Sequence, residues 1–256
     1  MRRLLRGIKG FMALLSFLTI IPTGVHDLAL ASRSFYLAPI IGLLEGMIAV
    51  SPILLDTSIY VRAALILLIS YLVTGFNHLD GFADFADVLG SGRSGKDALS
   101  IMKEPGRGAI AIAATTLLIV TIYSSLIELV ARAWWHMIVL SHVLASESMY
   151  LLAVASTPPG YHGLSKDFIL ESKHKFRIAV NLLALGVILF TITGIRQDLA
   201  YHLLAIIVLT ILVIAYTRMK SHKVLGFVNG DVLGFCYELT KSAILIFSAA
   251  LIALRI

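Results

Sequence analysis

Residues 61–87 read VRAALILLISYLVTGFNHLDGFADFAD, an apolar stretch that leads directly into an acidic one. Asp80, Asp84 and Asp87 recur at i, i+4 and i+7, and on a helix this spacing points all three carboxylates to one side. Three like charges on one face repel each other unless cations lie among them. Oxygen-rich sites of this kind suit magnesium or manganese, and those metals suit phosphate chemistry. The stretch therefore predicts a membrane enzyme that acts on a phosphorylated substrate.

The composition extends the membrane character to the whole chain. The 256 residues are 59% hydrophobic and 14% charged, with a mean hydropathy of +0.92, whereas soluble domains carry about 25% charged residues. A single cysteine, Cys236, excludes an intramolecular disulfide and a cysteine-based zinc site. The net charge of +6 comes from lysines and arginines between apolar segments, so we expect no nucleic-acid partner. The chain is predicted to be an all-α polytopic membrane protein with a single domain, 1–256.

Seven apolar stretches have nearly the length of roughly 20 residues that a bilayer crossing requires. They are 35–55, 61–77, 108–130, 133–155, 177–194, 199–217 and 232–254. The first apolar run, 11–21, is about half as long as a crossing requires and follows a basic N-terminus. It predicts a short interfacial or re-entrant helix. A cleaved signal peptide is the alternative, because residues 29–31 (Ala-Leu-Ala) resemble a cleavage site.

The distribution of basic residues predicts the topology. Loops 79–107, 156–177 and 218–231 are rich in lysine and arginine, whereas the connections between them carry one basic residue each, namely Arg62, Arg132 and Arg196. Basic loops of membrane proteins face the cytoplasm. We therefore expect a multi-pass protein of the plasma membrane whose acidic run faces the cytoplasm.

A second polar cluster precedes the last apolar stretch. Asp231 follows Gly230, and Glu238 lies two helical turns deeper on the same face. The functional interpretation is that both carboxylates complete the metal site of the first acidic run, with Gly230 and Gly234 allowing close helix approach. The structural alternatives are that Asp231 caps the helix and that Glu238 forms a buried ion pair with Lys241.

Four further residues near the acidic run are candidates for substrate binding. Asn77 and His78 precede the run, although a packed or capping role also explains them. Arg93, in the glycine-rich loop 90–96, and Lys103 are cations close to the carboxylates and suit phosphate oxygens. The loop does not have the spacing of a Walker motif, and orientation charge alone also explains basic residues there.

These stretches resemble the cobalamin (5'-phosphate) synthase family, the adenosylcobinamide-GDP ribazoletransferases of vitamin B12 assembly. The family signatures read roughly SFLTRIP, PLIG, HLDGLADTADG, IMKDSRIGAFG, GLGxxF and GDxxGAxxEL. The corresponding stretches here are 16–22, 39–42, 78–87, 101–104 with Gly108, 163–168, and 230–234 with Glu238 and Leu239. The matches occur in order through nearly the whole chain, which is more specific than any one motif. Val88, Ile20 and the displaced Arg107 depart from the family pattern, while all the acidic positions are kept.

The resemblance implies a reaction and a set of roles. The adenosylcobinamide-phosphate group of adenosylcobinamide-GDP would pass to α-ribazole or its 5'-phosphate, and GMP would leave. Mg²⁺ would be the cofactor, because phosphoryl transfer requires neutralisation of phosphate charge. The resemblance assigns Asp84 and Glu238 to catalysis, with Glu238 as a further ligand or a base. It assigns metal ligation to Asp80, Asp84, Asp87 and Asp231, and substrate binding to Asn77, His78, Arg93 and Lys103. Lipid is an expected partner, and a homo-oligomer is possible.

Three other classes of membrane protein share parts of this pattern. CDP-alcohol phosphotransferases have an acidic run with an Ala-Arg pair, which is missing after Gly81. Prenyltransferases of the UbiA type have two aspartate-rich motifs, and the second is lacking here. A cation transporter would carry its acidic residues deep within the helices, whereas most of those in this sequence lie at the predicted helix ends. The transferase interpretation is therefore preferred.

Overall fold

The computed structural model describes residues 2–104, 106, 108–195 and 200–253, which form helices joined by short connections and contain no strand. Two residues of the sequence analysis, Arg107 and Arg196, lie outside this described part. The helices are α1 (Arg2–Leu18), α2 (Leu28–Arg33), α3 (Ala38–Ala49), α4 (Ile59–Val73), α5 (Asn77–Ser91), α6 (Gly95–Lys103), α7 (Ala109–Ala131), α8 (Trp135–Ala155), α9 (Leu164–Ser172), α10 (Lys175–Ile195), α11 (Ala200–Val224) and α12 (Gly230–Ala253). The all-α fold predicted from composition is thus confirmed.

The number of crossings also agrees with the sequence. Six segments of the described chain are long and apolar enough to span a membrane. These are Phe35–Leu54, Ala109–Ala131, Trp135–Ala155, Lys175–Gly194, His202–Val224 and Gly230–Ala253. The pair α4 and α5 satisfies the same test together but is bent by 87°, so the described residues give six spans, or seven where this bent pair counts as one. The protein is therefore a polytopic membrane protein.

The crossing predicted at 61–77 differs in shape from the expectation. Helix α4 ends at Val73, and α5 starts at Asn77 after a bend of 87°. Gly75 and Phe76 both have positive φ, at 61° each, and a left-handed pair cannot continue a right-handed helix. The acidic run consequently lies on a separate helix that turns away from the crossing, and not on an extension of it.

Helices α8 and α12 form the centre of the bundle. Nearly all of α8 is buried, and it packs against α3 and α12. Helix α12 also packs against α5, α7 and α11. Helix α10 is largely exposed, as expected for a helix that faces lipid on most of its circumference. The central position of α12 brings its first turn against the acidic helix α5.

The three basic loops lie together at one end of the bundle. The backbone N–H of Val228 donates to the carbonyl of Thr157 at 3.0 Å, and the Arg218 guanidinium donates to the carbonyl of Ala155 at 2.7 Å. The remaining basic loop, 79–107, reaches the same end, because Gly81 of α5 packs against the backbone of Asp231. The three loops that are rich in basic residues in the sequence therefore share one end of the structure.

Helices α1, α2 and α9 complete this basic end. Helix α1 is longer than the predicted segment 11–21, because it begins within the basic N-terminus. Its end is joined to the end of α4, since the N–H of Ile20 donates to the carbonyl of Val73 at 2.9 Å. Helix α2 packs against both α1 and α9. Glu171 of α9 contacts Arg33 of α2 at 3.5 Å and pairs with Arg177 of α10. The N-terminal segment thus belongs to the folded body.

Candidate active site

The acidic helix α5 is pressed closely against the start of α12. A Cβ placed on Gly81 would lie 2.8 Å from the carbonyl oxygen of Asp231, and one on Gly234 would lie 3.1 Å from that of His78. Only glycine permits this approach. The prediction that Gly234 allows close packing is confirmed, but the same prediction for Gly230 is wrong, because nothing lies within 4 Å of its Cβ position. Gly81 fills that role instead.

A cavity of about 560 Å³ opens where these helices meet. Asp80 and Asp231 line it from α5 and α12, and Asn77, His78 and Asn229 line it beside them. The apolar part of the lining comes from α1, α8, α9, α12 and the turn before α3. The structure therefore brings residues from both predicted clusters to one cavity at the basic end of the bundle.

Asp231 is directed by its neighbour Asn229. The Asn229 side-chain amide donates to Asp231 Oδ2 at 2.9 Å, while its own carbonyl oxygen accepts from the N–H of Val232 at 3.1 Å. Asn229 is thus the N-cap of α12. The alternative in which Asp231 caps this helix is wrong, and its carboxylate instead lines the cavity.

Asp87 contacts a different partner from the other acidic residues. Its two carboxylate oxygens accept from the backbone N–H groups of Gly108 at 2.6 Å and Ala111 at 2.7 Å. Asp87 therefore caps the start of α7, where the helix dipole favours a negative charge. Each oxygen keeps a second lone pair, so metal ligation by Asp87 stays a prediction. Asp84 is half-buried between Asp80 and Asp87 on α5.

The predicted cations lie further out than the carboxylates. Lys103 is exposed, and its Nζ lies 6.0 Å from the ring centroid of Tyr161, which lines the cavity. Arg93 is exposed after the end of α5, and it does not line the cavity. The structure thus brings Lys103 to the rim and leaves Arg93 on the surface. Phosphate binding by both residues stays a prediction.

Glu238 is buried in the interior of the bundle in an ion pair. Lys241 Nζ lies 2.9 Å from Glu238 Oε1, and both side chains are almost fully inaccessible. The Tyr71 hydroxyl donates to Glu238 Oε2 at 3.5 Å. The structural interpretation of Glu238 is therefore confirmed. Its catalytic assignment stays a prediction, and the cavity near Asp231 is lined by other residues.

A second carboxylate, Glu45 of α3, lies in the same region of the interior. It accepts hydrogen bonds from the hydroxyls of Tyr237 at 2.8 Å and Ser146 at 3.2 Å. The His78 ring stacks on Tyr237 with centroids 4.2 Å apart. Together with the bond from Tyr71 to Glu238, these hydrogen bonds connect α3, α4, α8 and α12 inside the membrane, where unpaired polar groups are costly. His78 is thus packed against this network and also lines the cavity.

Tyr161 is a site residue that the sequence analysis did not identify. It lies in the connection between α8 and α9 and lines the cavity. Burial raises the pKa of its phenol, and the charge of Asp231 raises it further, while a hydrogen bond with the Asn229 side chain acts in the opposite direction. The phenol is therefore protonated near neutral pH. The sequence indicates this role only weakly, because the one feature that marks Tyr161 is its position two residues before Gly163 of the 163–168 motif.

The oxygen atoms that line the cavity are of the types that bind a hard divalent cation. Carboxylate and amide oxygens come from Asp80, Asp231, Asn77 and Asn229, and Mg²⁺ prefers such ligands together with water and phosphate oxygens. No three His, Cys, Asp or Glu side chains of the described residues form a ready-made group for one ion. Ligands from a bound phosphate would therefore have to complete the octahedron.

The fold and the cavity together define the class of this protein. It is an integral membrane protein whose carboxylates are gathered at one basic end of its helical bundle. The family model of cobalamin-5-phosphate synthase matches residues 10–249, and the chain belongs to this family. Similar proteins carry the name adenosylcobinamide-GDP ribazoletransferase. One from Archaeoglobus fulgidus is 31% identical over 97% of this chain and 98% of its own length.

Two bacterial relatives carry the same name. The protein from Clostridium perfringens strain SM101 is 31% identical over 91% of this chain and 94% of its own length. The protein from Chlorobaculum tepidum is 28% identical over 94% of this chain and 95% of its own length. No solved structure matches the chain. The similarity extends over the crossings and the connections alike, which agrees with the order of motifs in the sequence.

Proposed function

We propose that this chain transfers the adenosylcobinamide-phosphate group of adenosylcobinamide-GDP to α-ribazole or α-ribazole 5'-phosphate. The products are GMP and adenosylcobalamin or its 5'-phosphate. The observation that carries the proposal is the juxtaposition of Asp80 and Asp231 in one cavity at the basic end of the bundle. The family membership and the names of the relatives support the same reaction.

The chemistry is a substitution at phosphorus. A ribose hydroxyl oxygen of the acceptor forms a bond to the phosphorus that carries the cobinamide, and the bond from that phosphorus to the oxygen of GMP breaks. The hydroxyl proton passes to a water molecule in the cavity, because the carboxylates of the acidic helix are the proposed ligands of the metal ion. Asn77, Asn229 and the protonated Tyr161 line the same cavity and can hold the acceptor by hydrogen bonds.

Mg²⁺ is the proposed cofactor, and Asp80, Asp84 and Asp231 are its proposed protein ligands. When bound, the ion neutralises charge on the phosphate that is attacked and on the leaving group. Lys103 at the rim would pair with the remaining phosphate oxygens. Asp87, which already caps α7 with both oxygens, would contribute by fixing α5 against α7 and, as an additional ligand, through its free lone pairs.

We further propose that the cavity faces the cytoplasm from the plasma membrane. The positive-inside rule supports this orientation, since the three basic loops surround the cavity. A competing function is transport of a cation along intramembrane carboxylates. Glu238 and Glu45 are buried carboxylates, but hydrogen bonds and an ion pair already hold them.

A direct assay tests the proposal. Purified protein in detergent is incubated with adenosylcobinamide-GDP and α-ribazole, with Mg²⁺ or with a chelator, and GMP and adenosylcobalamin are measured by mass spectrometry. We expect stoichiometric formation of both products with Mg²⁺ and none with the chelator. Asp84→Asn is assayed beside Asp167→Asn, its matched control, since Asp167 is an exposed aspartate at the same end of the bundle. Absence of either product from folded wild-type protein would contradict the proposal.

A further inference from the structure

The cavity is lined by two chemically different sets of side chains, which we call its polar end and its aromatic end. Its polar end carries Asn77, Asp80, Asn229 and Asp231. Its other end is lined by aromatic and aliphatic side chains: Phe17, Leu18, Phe35, Met149, Phe168 and Leu233. An apolar cavity wall has to be covered by an apolar part of a ligand for binding to gain from it.

The aromatic end is a rigid, organised cluster. Phe17 and Phe168 stack with centroids 4.6 Å apart and an interplanar angle of 25°. Phe35 meets Phe168 edge-on at 5.2 Å and Tyr150 edge-on at 5.5 Å. Phe35 and Phe168 are only 2% and 3% exposed, so tight packing fixes their rings. Phe17 is the half-buried member of the cluster that lines the cavity, and the buried rings of Phe35 and Phe168 hold it in a fixed position where it can contact a planar ring.

Three segments outside the central bundle supply the phenylalanines of this end, while Met149 of α8 and Leu233 of α12 complete it. Phe17 comes from α1, Phe35 from the turn after α2, and Phe168 from α9. The ion pairs of Glu171 with Arg33 and Arg177 fix α9 against α2 and α10. These parts of the chain lie outside the central bundle, and their contribution to the cavity explains why the fold includes them.

The two ends lie close enough together for one small molecule to contact both. Asp231 and Leu233 are two residues apart on α12, which is about 3 Å along the helix axis. A nucleoside has this polarity, because its ribose carries hydroxyls and its base is a flat ring. We infer that the aromatic end binds the base of α-ribazole and that the polar end receives its ribose; the inference rests on the proposed function.

The apolar wall distinguishes the base of α-ribazole from the purine bases of adenosylcobinamide-GDP, which are the guanine of its GDP and the adenine of its adenosyl group. The base of α-ribazole is a methylated benzimidazole whose edges are largely apolar. The guanine of adenosylcobinamide-GDP has donors and acceptors on its edges, which would remain unpaired beside Phe17, Phe35 and Phe168. Burial of unpaired polar groups is costly, so the aromatic end selects benzimidazole.

Phe17→Leu is the test variant, because Phe17 is only half-buried and its replacement keeps an apolar side chain. Phe11→Leu is the matched control, since Phe11 is a half-buried phenylalanine on the same helix outside the cavity. Binding of α-ribazole alone is measured by calorimetry, and the KM of each substrate is measured by turnover. We expect Phe17→Leu to weaken α-ribazole binding about tenfold, with the KM for adenosylcobinamide-GDP unchanged.

A second arm uses guanosine, which also carries ribose but has a polar base and the opposite anomeric configuration, and the β-riboside of the same benzimidazole is the control for that configuration. We expect guanosine to bind the wild-type protein at least about tenfold more weakly than α-ribazole. Unchanged α-ribazole binding in Phe17→Leu, or a rise only in the KM for adenosylcobinamide-GDP, would overturn the inference while transfer activity still stands. Tight α-ribazole binding that is sensitive to Phe17, in a protein without transfer activity, would support the subsite and reject the proposed reaction.

Discussion

Asp84 lies at the centre of the acidic helix, between the cavity-lining Asp80 and the capping Asp87. We expect Asp84→Asn to reduce turnover by at least about a thousandfold, because an amide keeps the shape of the side chain but lacks the charge that a hard cation requires. The measurement is product formation at saturating Mg²⁺, with the helical circular dichroism spectrum as the folding control. Retention of most of the wild-type turnover would reject the metal assignment of Asp84.

The pair of Glu238 and Lys241 gives the second prediction on single residues. Removing one partner leaves a buried charge uncompensated, which costs about 3–5 kcal/mol, whereas replacing both by apolar residues is often neutral. We therefore expect Lys241→Met to lower the melting temperature strongly and Glu238→Leu with Lys241→Met to restore much of it. The melting temperature in detergent is measured by a thiol-independent fluorescence assay.

Activity of the same double variant separates the two interpretations of Glu238. A structural ion pair predicts that the folded double variant keeps substantial turnover. A direct role of Glu238 as base or ligand predicts a folded protein without activity, and that outcome would restore the catalytic assignment made from the sequence.

At the scale of elements, the contact between α5 and α12 determines the shape of the cavity. We expect Gly81→Ala to reduce turnover at least about tenfold, because its Cβ would lie 2.8 Å from the Asp231 carbonyl oxygen and would force the two helices apart. Gly186→Ala is the control, since nothing lies within 4 Å of its Cβ position in the membrane helix α10. Equal activity of the two variants would show that the close approach is dispensable.

The attachment of α9 gives a prediction about pH. Although burial acts to raise it, the pKa of Glu171 is lowered from 4.5 by its hydrogen bond and charge contact with Arg177, and by Arg33 and His174. A group with a lowered folded pKa stabilises the fold above its unfolded pKa, and this contribution is lost as the pH falls through the folded value. We expect wild-type protein to melt higher than Glu171→Gln near pH 7 and the difference to shrink below pH 4.5.

A difference in melting temperature that does not change with pH would contradict that account. Protonation of Glu171 at low pH should remove its charge contacts, and glutamine does not make these contacts at any pH. Thermal melts from about pH 7 down to about pH 4 in one detergent provide the measurement.

At the scale of the whole molecule, the three basic loops share one end, and we expect that end to be cytoplasmic. Single cysteines at Ser94, Asp167 and Lys223, all exposed, should resist an impermeant thiol reagent in intact cells in a Cys236→Ser background.

The positive control for this labelling is a cysteine at Asp56, which is exposed in the connection before α4, at the opposite end. It should react from outside. Labelling of a cysteine at position 94, 167 or 223 from outside would contradict the predicted topology. The cavity would then open on the outer side of the membrane.

The amino-acid sequence by itself determined the class of fold, the approximate crossings and the family. Composition and apolar length are local properties, and a membrane restricts a chain with these properties to spanning helices. The positions of Asp80 and Asp231 as site candidates also followed from the sequence, because charges beside apolar stretches are conspicuous. The alternation of basic loops likewise predicted which connections share one end.

Only the tertiary structure decided how these residues are used. The bend at Gly75 and Phe76, which moves the acidic run onto its own helix, depends on two backbone conformations that composition does not encode. The capping role of Asp87 depends on partners 21 and 24 residues away at the start of α7. The ion pair of Glu238 depends on the burial of a lysine one helical turn away. The aromatic end of the cavity combines three separate segments, and contacts between distant segments arise from packing and not from local sequence pattern.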